Sequence, residues 1–123
     1  MKKVHVNASK SYDITVGRNL LPRLGTFLPP VKSACRVAVI TDDRVNTLYG
    51  NTVLASLKEQ GYAPSLYAFP HGEHAKQLET YGNILEFLAA ERITRGDMIL
   101  ALGGGVPGDI AGFAAATYLR GIP

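Results

Sequence analysis

With 123 residues the chain has the length of one domain, and its 46% hydrophobic and 19% charged residues are typical of a soluble globular protein. The net charge is +3, but the Lys and Arg residues are dispersed along the chain, which argues against nucleic-acid binding. No apolar run approaches the roughly 18 residues that a membrane span needs, and a single cysteine cannot form an internal disulfide. These features predict a cytoplasmic protein without a membrane or nucleic-acid partner.

The first third of the chain predicts structural elements only. Residues 4–7 and 12–16 alternate apolar and polar side chains, which favours two short strands in a hairpin or edge pair. Asn19 is in a position to cap a short helix that ends near Leu28, before two prolines. Nothing in this region requires chemistry.

Two strand-to-helix units follow. Residues 36–40 form a compact, β-branched run that precedes a helical stretch over 44–60, where Gly50 predicts a kink or two helices. Asp42, at the end of this strand, is placed either to cap the helix or to bind ribose hydroxyls, and position alone favours the cap. Residues 65–69 form the next strand. A helix then runs to about residue 92, with a buried face expected at Leu78, Tyr81, Leu85 and Leu88.

A glycine-rich turn links the last strand, 98–102, to a helix rich in alanine. Gly103, Gly105 and Gly108 have the G-x-G-x-x-G spacing after a strand and at a helix start, which is the context for pyrophosphate binding. The alternative is a tight turn with no ligand. Asp109 is expected in the first helical turn, facing a sugar hydroxyl or the substrate rather than a phosphate. Ile110, Phe113, Ala114 and Thr117 are expected to share one face of this helix.

The same segment resembles a known family. Gly-Gly-Gly-Val-Pro-Gly-Asp over 103–109, the run over 111–118 and Arg120-Gly121 are similar to the cofactor-binding segment of 3-dehydroquinate synthases. Metal-dependent alcohol and glycerol dehydrogenases share only a shorter part of it. Pro107, Arg44 and His71 stand where the family more often has an aliphatic residue or Thr, a small polar residue, and Asp.

The resemblance implies an NAD-binding role for particular residues. Without it, Glu73 and Lys76 are better interpreted as a solvated charge pair in the loop after the strand 65–69. With it, Arg120 is implied to hold substrate phosphate, reaching into a partner subunit's site. The implied cofactor-binding residues are Asp42, Gly72, Glu73, Lys76, Gly104, Gly105, Val106, Gly108 and Asp109.

The fold class is therefore expected to be α/β, a mostly parallel Rossmann-like sheet flanked by helices, forming the N-terminal nucleotide-binding part of a two-domain enzyme. Residues 1–123 would be an incomplete NAD-binding domain, because the chain stops where a further strand is due. The resemblance implies a homodimeric lyase of the shikimate pathway that uses NAD as a transient oxidant on a phosphorylated sugar acid. It also implies a divalent metal, zinc or cobalt, whose ligands and catalytic partners lie in an absent helical domain.

Two alternatives remain open from the residues. One is an NAD- and metal-dependent alcohol or polyol dehydrogenase, and the other is a non-catalytic nucleotide-binding module. A zinc site at His71 and His74 is rejected, because no third and fourth ligand lies nearby in the sequence.

Overall fold

A computed structural model describes residues 2–7, 12–28, 35–72 and 78–118 of the chain. Strands and helices alternate from residue 36 onward, as an α/β fold requires. The elements in chain order are β1 (Lys2–Val6), β2 (Tyr12–Val16), a 3₁₀-helix (Leu21–Phe27), β3 (Arg36–Asp42), α1 (Asp43–Val45), a π-helical turn (Asn46–Gly50), α2 (Asn51–Glu59), β4 (Ala63–Phe69), α3 (Leu78–Ala90), β5 (Met98–Leu102) and α4 (Gly105–Thr117).

The central sheet is parallel, and its three strands lie in the order β4-β3-β5. Strand β3 is in the middle, and the residues from Val37 to Thr41 are completely buried. Helices cover both faces of this strand, which explains why its sequence is a continuous apolar run rather than an alternating one. The mostly parallel sheet flanked by helices is the fold class expected from the sequence.

Alternate side chains of β3 enter two separate hydrophobic clusters. Val37 and Val39 pack with Val53 and Leu57 of α2 and with leucines of the 3₁₀-helix. On the opposite face, Ala38 and Ile40 pack against α3 and α4 through Ile84, Leu88, Ile110, Ala111 and Ala114. Each fully buried Val, Leu or Ile side chain contributes about 1.5–3 kcal/mol, so the two clusters supply most of the driving force for folding. The helices that follow β3 and β5 therefore lie on opposite faces of the sheet.

The 3₁₀-helix is attached to α2 through a close backbone contact at Gly25. The Gly25 N–H donates to the Ser56 hydroxyl at 2.9 Å, and both residues are buried. A Cβ on Gly25 would lie 2.8 Å from the Ser56 carbonyl oxygen and 2.6 Å from Cγ of Gln60. A glycine is needed here because the two backbones approach too closely for any side chain.

Asp97 fastens the turn that leads into β5. Its carboxylate accepts from the Thr94 N–H at 2.8 Å, the Thr94 hydroxyl at 3.0 Å and the Arg36 N–H at 2.9 Å. Burial alone would raise the pKa of Asp97, but these hydrogen bonds outweigh it and hold the pKa below its ordinary value. The carboxylate thus ties the starts of β3 and β5 together.

The predicted hairpin is present. β1 and β2 pair antiparallel, with Val4 opposite Ile14 and Val6 opposite Tyr12, so their apolar side chains share one face. Val4, Tyr12, Ile14 and Val16 are exposed. Of the helices in the described ranges, none combines the length and the apolar character that crossing a lipid bilayer requires.

Two expectations about helix starts and helix continuity were wrong or incomplete. Asn19 does not cap a helix: it has a φ of +57°, a conformation that Asn tolerates, and Leu20 precedes the 3₁₀-helix instead. Gly50 ends the π-helical turn, so the helix continues into α2 with a local change of winding. A side chain at Gly50 would collide with the amide oxygen of Asn46.

Two expected helix faces also need correction. Leu78 is 81% exposed, because it is the first residue of α3 and precedes the turn that reaches the core, where Ile84 and Leu88 are buried. In α4 the buried face consists of Pro107, Ile110, Ala111 and Ala114, whereas Phe113 is exposed. The Phe113 ring packs on the Tyr81 ring of α3 at a centroid distance of 4.7 Å, outside the core.

Candidate functional site

At the carboxyl ends of the neighbouring strands β3 and β5 the chain leaves the sheet in two directions. After β3 the chain passes to the face covered by α2, and after β5 it passes to the face covered by α4. In open α/β sheets this divergence is where ligands bind. The Thr41 hydroxyl donates to the Leu102 carbonyl at 2.8 Å in a buried position and fixes the two strand ends together.

Gly103 makes the turn from β5 into α4 possible. Its φ of +135° is accessible to glycine and strained for other residues. A Cβ at this position would lie 2.8 Å from Cγ of Pro107, which is itself buried. Gly103 is therefore required by the fold, independently of any ligand.

The other glycines of the turn face open space. A Cβ on Gly104, Gly105 or Gly108 would meet no heavy atom within 4 Å, and all three residues are exposed. Internal packing does not account for these glycines, and an extended ligand could approach the backbone closely here. They lie at the start of α4, as the G-x-G-x-x-G spacing predicted.

The start of α4 leaves backbone donors without partners in the described part of the chain. Gly104 is the N-cap and supplies no side-chain hydrogen bond, while the Gly108 N–H bonds to the Gly104 carbonyl at 3.3 Å. The N–H groups of Gly105 and Val106 precede that first helical bond. Pro107 is the third helical residue, a position whose N–H has no intrahelical partner in any helix, so its missing donor costs the helix nothing. Two free amides and the helix dipole together favour an anion.

Asp109 lies just beyond the first turn of α4, the turn in which it was expected. It is the fifth residue of α4, and the first turn of this helix contains no acidic residue. The carboxylate is therefore displaced from the amides that would hold a phosphate, which removes the repulsion expected from a first-turn carboxylate.

Asp42 has the capping role that its position favoured. Its Oδ1 accepts from the Val45 N–H at 2.7 Å, which begins α1 directly at the end of β3. The hydrogen bond occupies one carboxylate oxygen and leaves Oδ2 without a partner among the described residues. A cap and a contact to a ribose hydroxyl are thus compatible at this residue.

A row of three polar side chains extends from β3 to β4. Oδ1 of Asp43 accepts from the His71 main-chain N–H at 3.1 Å and from its ring Nδ1 at 2.7 Å. The ring hydrogen bond is the main cause that holds the pKa of Asp43 below its ordinary value. On the other side of the ring, Nε2 lies 3.2 Å from Nη2 of Arg44. Arg44 and His71, two of the positions that depart from the family pattern, are therefore in contact.

The sequence reasoning missed Asp43 as a partner of His71. The available signal was the pair of acidic residues at the end of a predicted strand, but only the parallel register of β3 and β4 shows that Asp43 meets the residue after Pro70.

Several predicted site residues lie outside the described ranges. Gly72 is described, with a φ of +110°, and begins the segment that contains Glu73 and Lys76, but those two residues and Arg120 fall in the gaps between or after the ranges. His74 also falls there. Among residues 2–7, 12–28, 35–72 and 78–118, no group of three or more His, Cys, Asp or Glu side chains could hold a metal ion.

The matching family model and two similar curated sequences are those of 3-dehydroquinate synthases. The family model described as 3-dehydroquinate synthase N-terminal matches residues 66–123. A curated 3-dehydroquinate synthase of Enterococcus faecalis is 45% identical over 122 residues, which are 99% of this chain and 34% of that protein. The 3-dehydroquinate synthase of Streptococcus suis is 44% identical over 121 residues, or 98% of this chain and 34% of that protein. The chain thus spans about a third of the length of the curated relatives it matches.

Solved structures share the fold. A crystal structure of 2-deoxy-scyllo-inosose synthase, complexed with carbaglucose-6-phosphate, NAD+ and Co2+, has a TM-score of 0.86 and 24% identity, covering 98% of this chain and 33% of that one. At that identity the likeness shows the fold alone. A 2-epi-5-epi-valiolone synthase from Streptomyces hygroscopicus with NAD+ and Zn2+ bound has a TM-score of 0.77 and 32% identity, with coverage of 98% and 33%.

Proposed function

We propose that the chain, which is similar along almost its whole length to curated 3-dehydroquinate synthases, belongs to their family and forms the NAD-binding part of an enzyme converting 3-deoxy-D-arabino-heptulosonate 7-phosphate to 3-dehydroquinate and phosphate. The observation that carries the proposal is the 45% identity to a curated 3-dehydroquinate synthase over 99% of the chain. The matches are named synthases, so neither a polyol dehydrogenase nor a non-catalytic module is favoured. The enzyme would be a lyase of the shikimate pathway.

The described residues fit a dinucleotide. The open side of Gly104, Gly105 and Gly108 leaves room for a pyrophosphate, and the free amides of Gly105 and Val106 are suited to its oxygens. The free Oδ2 of Asp42 suits a ribose hydroxyl at the neighbouring strand end. Asp109, Gly72, Glu73 and Lys76 complete the proposed set, with Glu73 accepting from hydroxyls and Lys76 neutralising phosphate charge.

NAD, when bound, supplies a hydride acceptor that transiently oxidises a substrate hydroxyl. This chain's residues bind and orient the cofactor: the start of α4 holds the pyrophosphate, and the end of β3 fixes the adjacent ribose. The Thr41 hydroxyl joins the two strand ends from which these contacts extend. Arg120, a planar donor of paired hydrogen bonds, is proposed to hold the substrate phosphate, from one subunit to the site of its partner.

The remaining parts of the proposal concern the whole protein. We propose that a second, helical domain carries the ligands of a divalent metal, zinc or cobalt, which would polarise the substrate's hydroxyl and carbonyl oxygens. The 2-epi-5-epi-valiolone synthase, which is 32% identical to this chain, has NAD+ and Zn2+ bound, and this supports a divalent metal. The assembly is proposed to be a cytoplasmic homodimer.

Calorimetric titration of the 123-residue chain with NAD tests the cofactor site. Gly104→Val places a branched side chain over the start of α4, and we expect it to abolish saturable NAD binding. Gly112→Val is the matched control, because a Cβ there also meets nothing within 4 Å while lying eight positions further along. Equal binding by both variants would contradict the proposed pyrophosphate site. Release of phosphate from 3-deoxy-D-arabino-heptulosonate 7-phosphate by the full-length protein separately tests the reaction.

A further inference from the structure

The row Asp43–His71–Arg44 has one possible arrangement of protons when the ring is neutral. A guanidinium only donates hydrogen bonds, so Nε2 of His71 must accept from Nη2 of Arg44. The ring proton is then on Nδ1, where it is donated to Oδ1 of Asp43 at 2.7 Å. The main-chain N–H of His71 adds a second bond to the same oxygen, at 3.1 Å. Asp43 thus orients the ring, and the ring orients the guanidinium.

Arg44 retains most of its donors. Among the described residues, His71 is the only hydrogen-bond partner of its guanidinium, and no carboxylate there pairs with it. The neighbouring carboxylates have other partners, since Asp43 bonds to His71 and Oδ1 of Asp42 bonds to the Val45 N–H. Arg44 is exposed at this edge of the sheet. An oriented, unpaired guanidinium is suited to paired hydrogen bonds with a phosphate.

The strand order places the Arg44–His71 pair on the side of Asp42 that is away from the glycine turn. The glycine turn follows β5, Asp42 ends the adjacent strand β3, and His71 follows β4 on the far side of β3. Neighbouring strands are about 4.8 Å apart, so these three positions form a row across the sheet edge. A dinucleotide with its pyrophosphate at the glycine turn and a ribose at Asp42 would direct substituents of that ribose toward Arg44.

We propose that Arg44, oriented by His71, is a receptor for a phosphate on the ribose proposed to contact Asp42, so that this site accepts a 2′-phosphorylated dinucleotide as well as NAD. In dinucleotide-binding folds an acidic residue at this position binds the ribose hydroxyl of NAD, or a nearby Arg accommodates the 2′-phosphate of NADP. This chain has Asp42 and Arg44 there, and the guanidinium charge would offset the repulsion between the Asp42 carboxylate and a phosphate. The inference rests on the nucleotide-binding role proposed above and adds a second cofactor class to the same site.

The test is calorimetric titration of the 123-residue chain with NAD and NADP, each with wild type, Arg44→Ser and Arg95→Ser. Arg95 is an exposed arginine just before β5, so it lies at the amino ends of the strands, away from Arg44. Its replacement removes the same charge. For wild type we expect NADP to bind within about tenfold of NAD. A charge-assisted hydrogen bond contributes about one to two decades of affinity. Arg44→Ser should therefore lower the affinity for NADP by about 10- to 100-fold and the affinity for NAD by less than about threefold. Arg95→Ser should change neither.

Continued NAD binding shows that Arg44→Ser is folded, and Arg44→Lys adds a variant that keeps the charge but loses the planar pair of donors. We expect an intermediate affinity of Arg44→Lys for NADP. NAD binding with NADP more than about 100-fold weaker in wild type would overturn the inference and leave the proposed function intact. An equal loss of affinity for NAD and for NADP in Arg44→Ser would also overturn the inference. Absence of binding by either cofactor would overturn both proposals for this chain.

Discussion

Replacing Gly103 by alanine should destabilise the fold more than any other alanine substitution in the glycine turn. The φ of +135° costs an L-residue about 1–3 kcal/mol. The new Cβ would lie 2.8 Å from Cγ of Pro107, an overpacked contact that costs about 1–3 kcal/mol more. We therefore expect Gly103→Ala to lower the free energy of unfolding by about 2–6 kcal/mol, a large part of the roughly 5–15 kcal/mol of a typical domain.

Urea unfolding followed by circular dichroism measures this loss. With a slope of about 2 kcal/mol per molar urea, the middle of the usual range, the midpoint should fall by about 1–3 M. Gly108→Ala is the matched control in the same motif, because its Cβ meets nothing within 4 Å and alanine favours a helix by up to about 1 kcal/mol. Gly108→Ala should thus raise the midpoint slightly. A loss below about 1 kcal/mol for Gly103→Ala, or equal losses for the two variants, would refute the assignment of Gly103 to the fold.

Pro107 provides a second check on the same contact. In the double variant Gly103→Ala with Pro107→Ala, Cγ of the proline is absent, and only the cost of the backbone conformation should remain. The double-mutant cycle should therefore show a favourable coupling of about 1 kcal/mol or more. A coupling near zero would mean that Pro107 does not limit the space at Gly103.

Two further predictions concern buried polar groups. Asp97→Asn should cost about 1.5–3 kcal/mol, because the carboxylate accepts from Arg36 and Thr94 and charged hydrogen bonds are worth about that much. The depressed pKa of Asp97 means that its stabilisation is complete above the ordinary aspartate pKa of about 3.9 and is lost as the pH falls through the lower folded value, so thermal unfolding of wild type and Asp97→Asn should converge in acid. A constant difference between them down to pH 2 would contradict this account. Ser56→Ala should cost about 1–3 kcal/mol by leaving the buried Gly25 N–H without an acceptor, whereas Ser56→Thr keeps an acceptor; equal urea midpoints for wild type and Ser56→Ala would show that the 3₁₀-helix does not depend on this bond.

The architecture was predictable because its signals are local. The apolar runs before Asp42 and before Gly103 have the length of buried strands, and each is followed by a turn signal and a helix. The order of the strands was less accessible, because β5 pairs with β3 across some 60 residues. The errors arose where periodicity was extended to a helix end, as at Leu78, or where a large apolar residue was assumed to be buried, as at Phe113.

The site was predictable where backbone geometry defines it and not where side chains from separate segments meet. The glycines near Gly105 could be identified from spacing and context alone. The contact between Asp43 and His71 depends on the register of two strands, 28 residues apart in the sequence, and no local pattern encodes it. The capping role of Asp42 followed from its position, while its free oxygen became evident only from the geometry of the Val45 hydrogen bond.

The glycines of the turn are required for different reasons, so substitutions there can distinguish effects on folding from effects on ligand binding. Gly103 is fixed by its conformation and by Pro107, so any side chain there is resisted whether or not a ligand is present. Gly104, Gly105 and Gly108 meet no such internal resistance, and in Gly108 an alanine should even favour the helix. If a pyrophosphate lies on the open side, the added methyl group competes with the ligand, and Gly108→Ala should gain stability while it loses NAD affinity. If the motif served the fold alone, Gly108→Ala would change stability without lowering the affinity for NAD. A gain in stability together with a loss of NAD affinity in this one variant would therefore be evidence for a ligand on this surface.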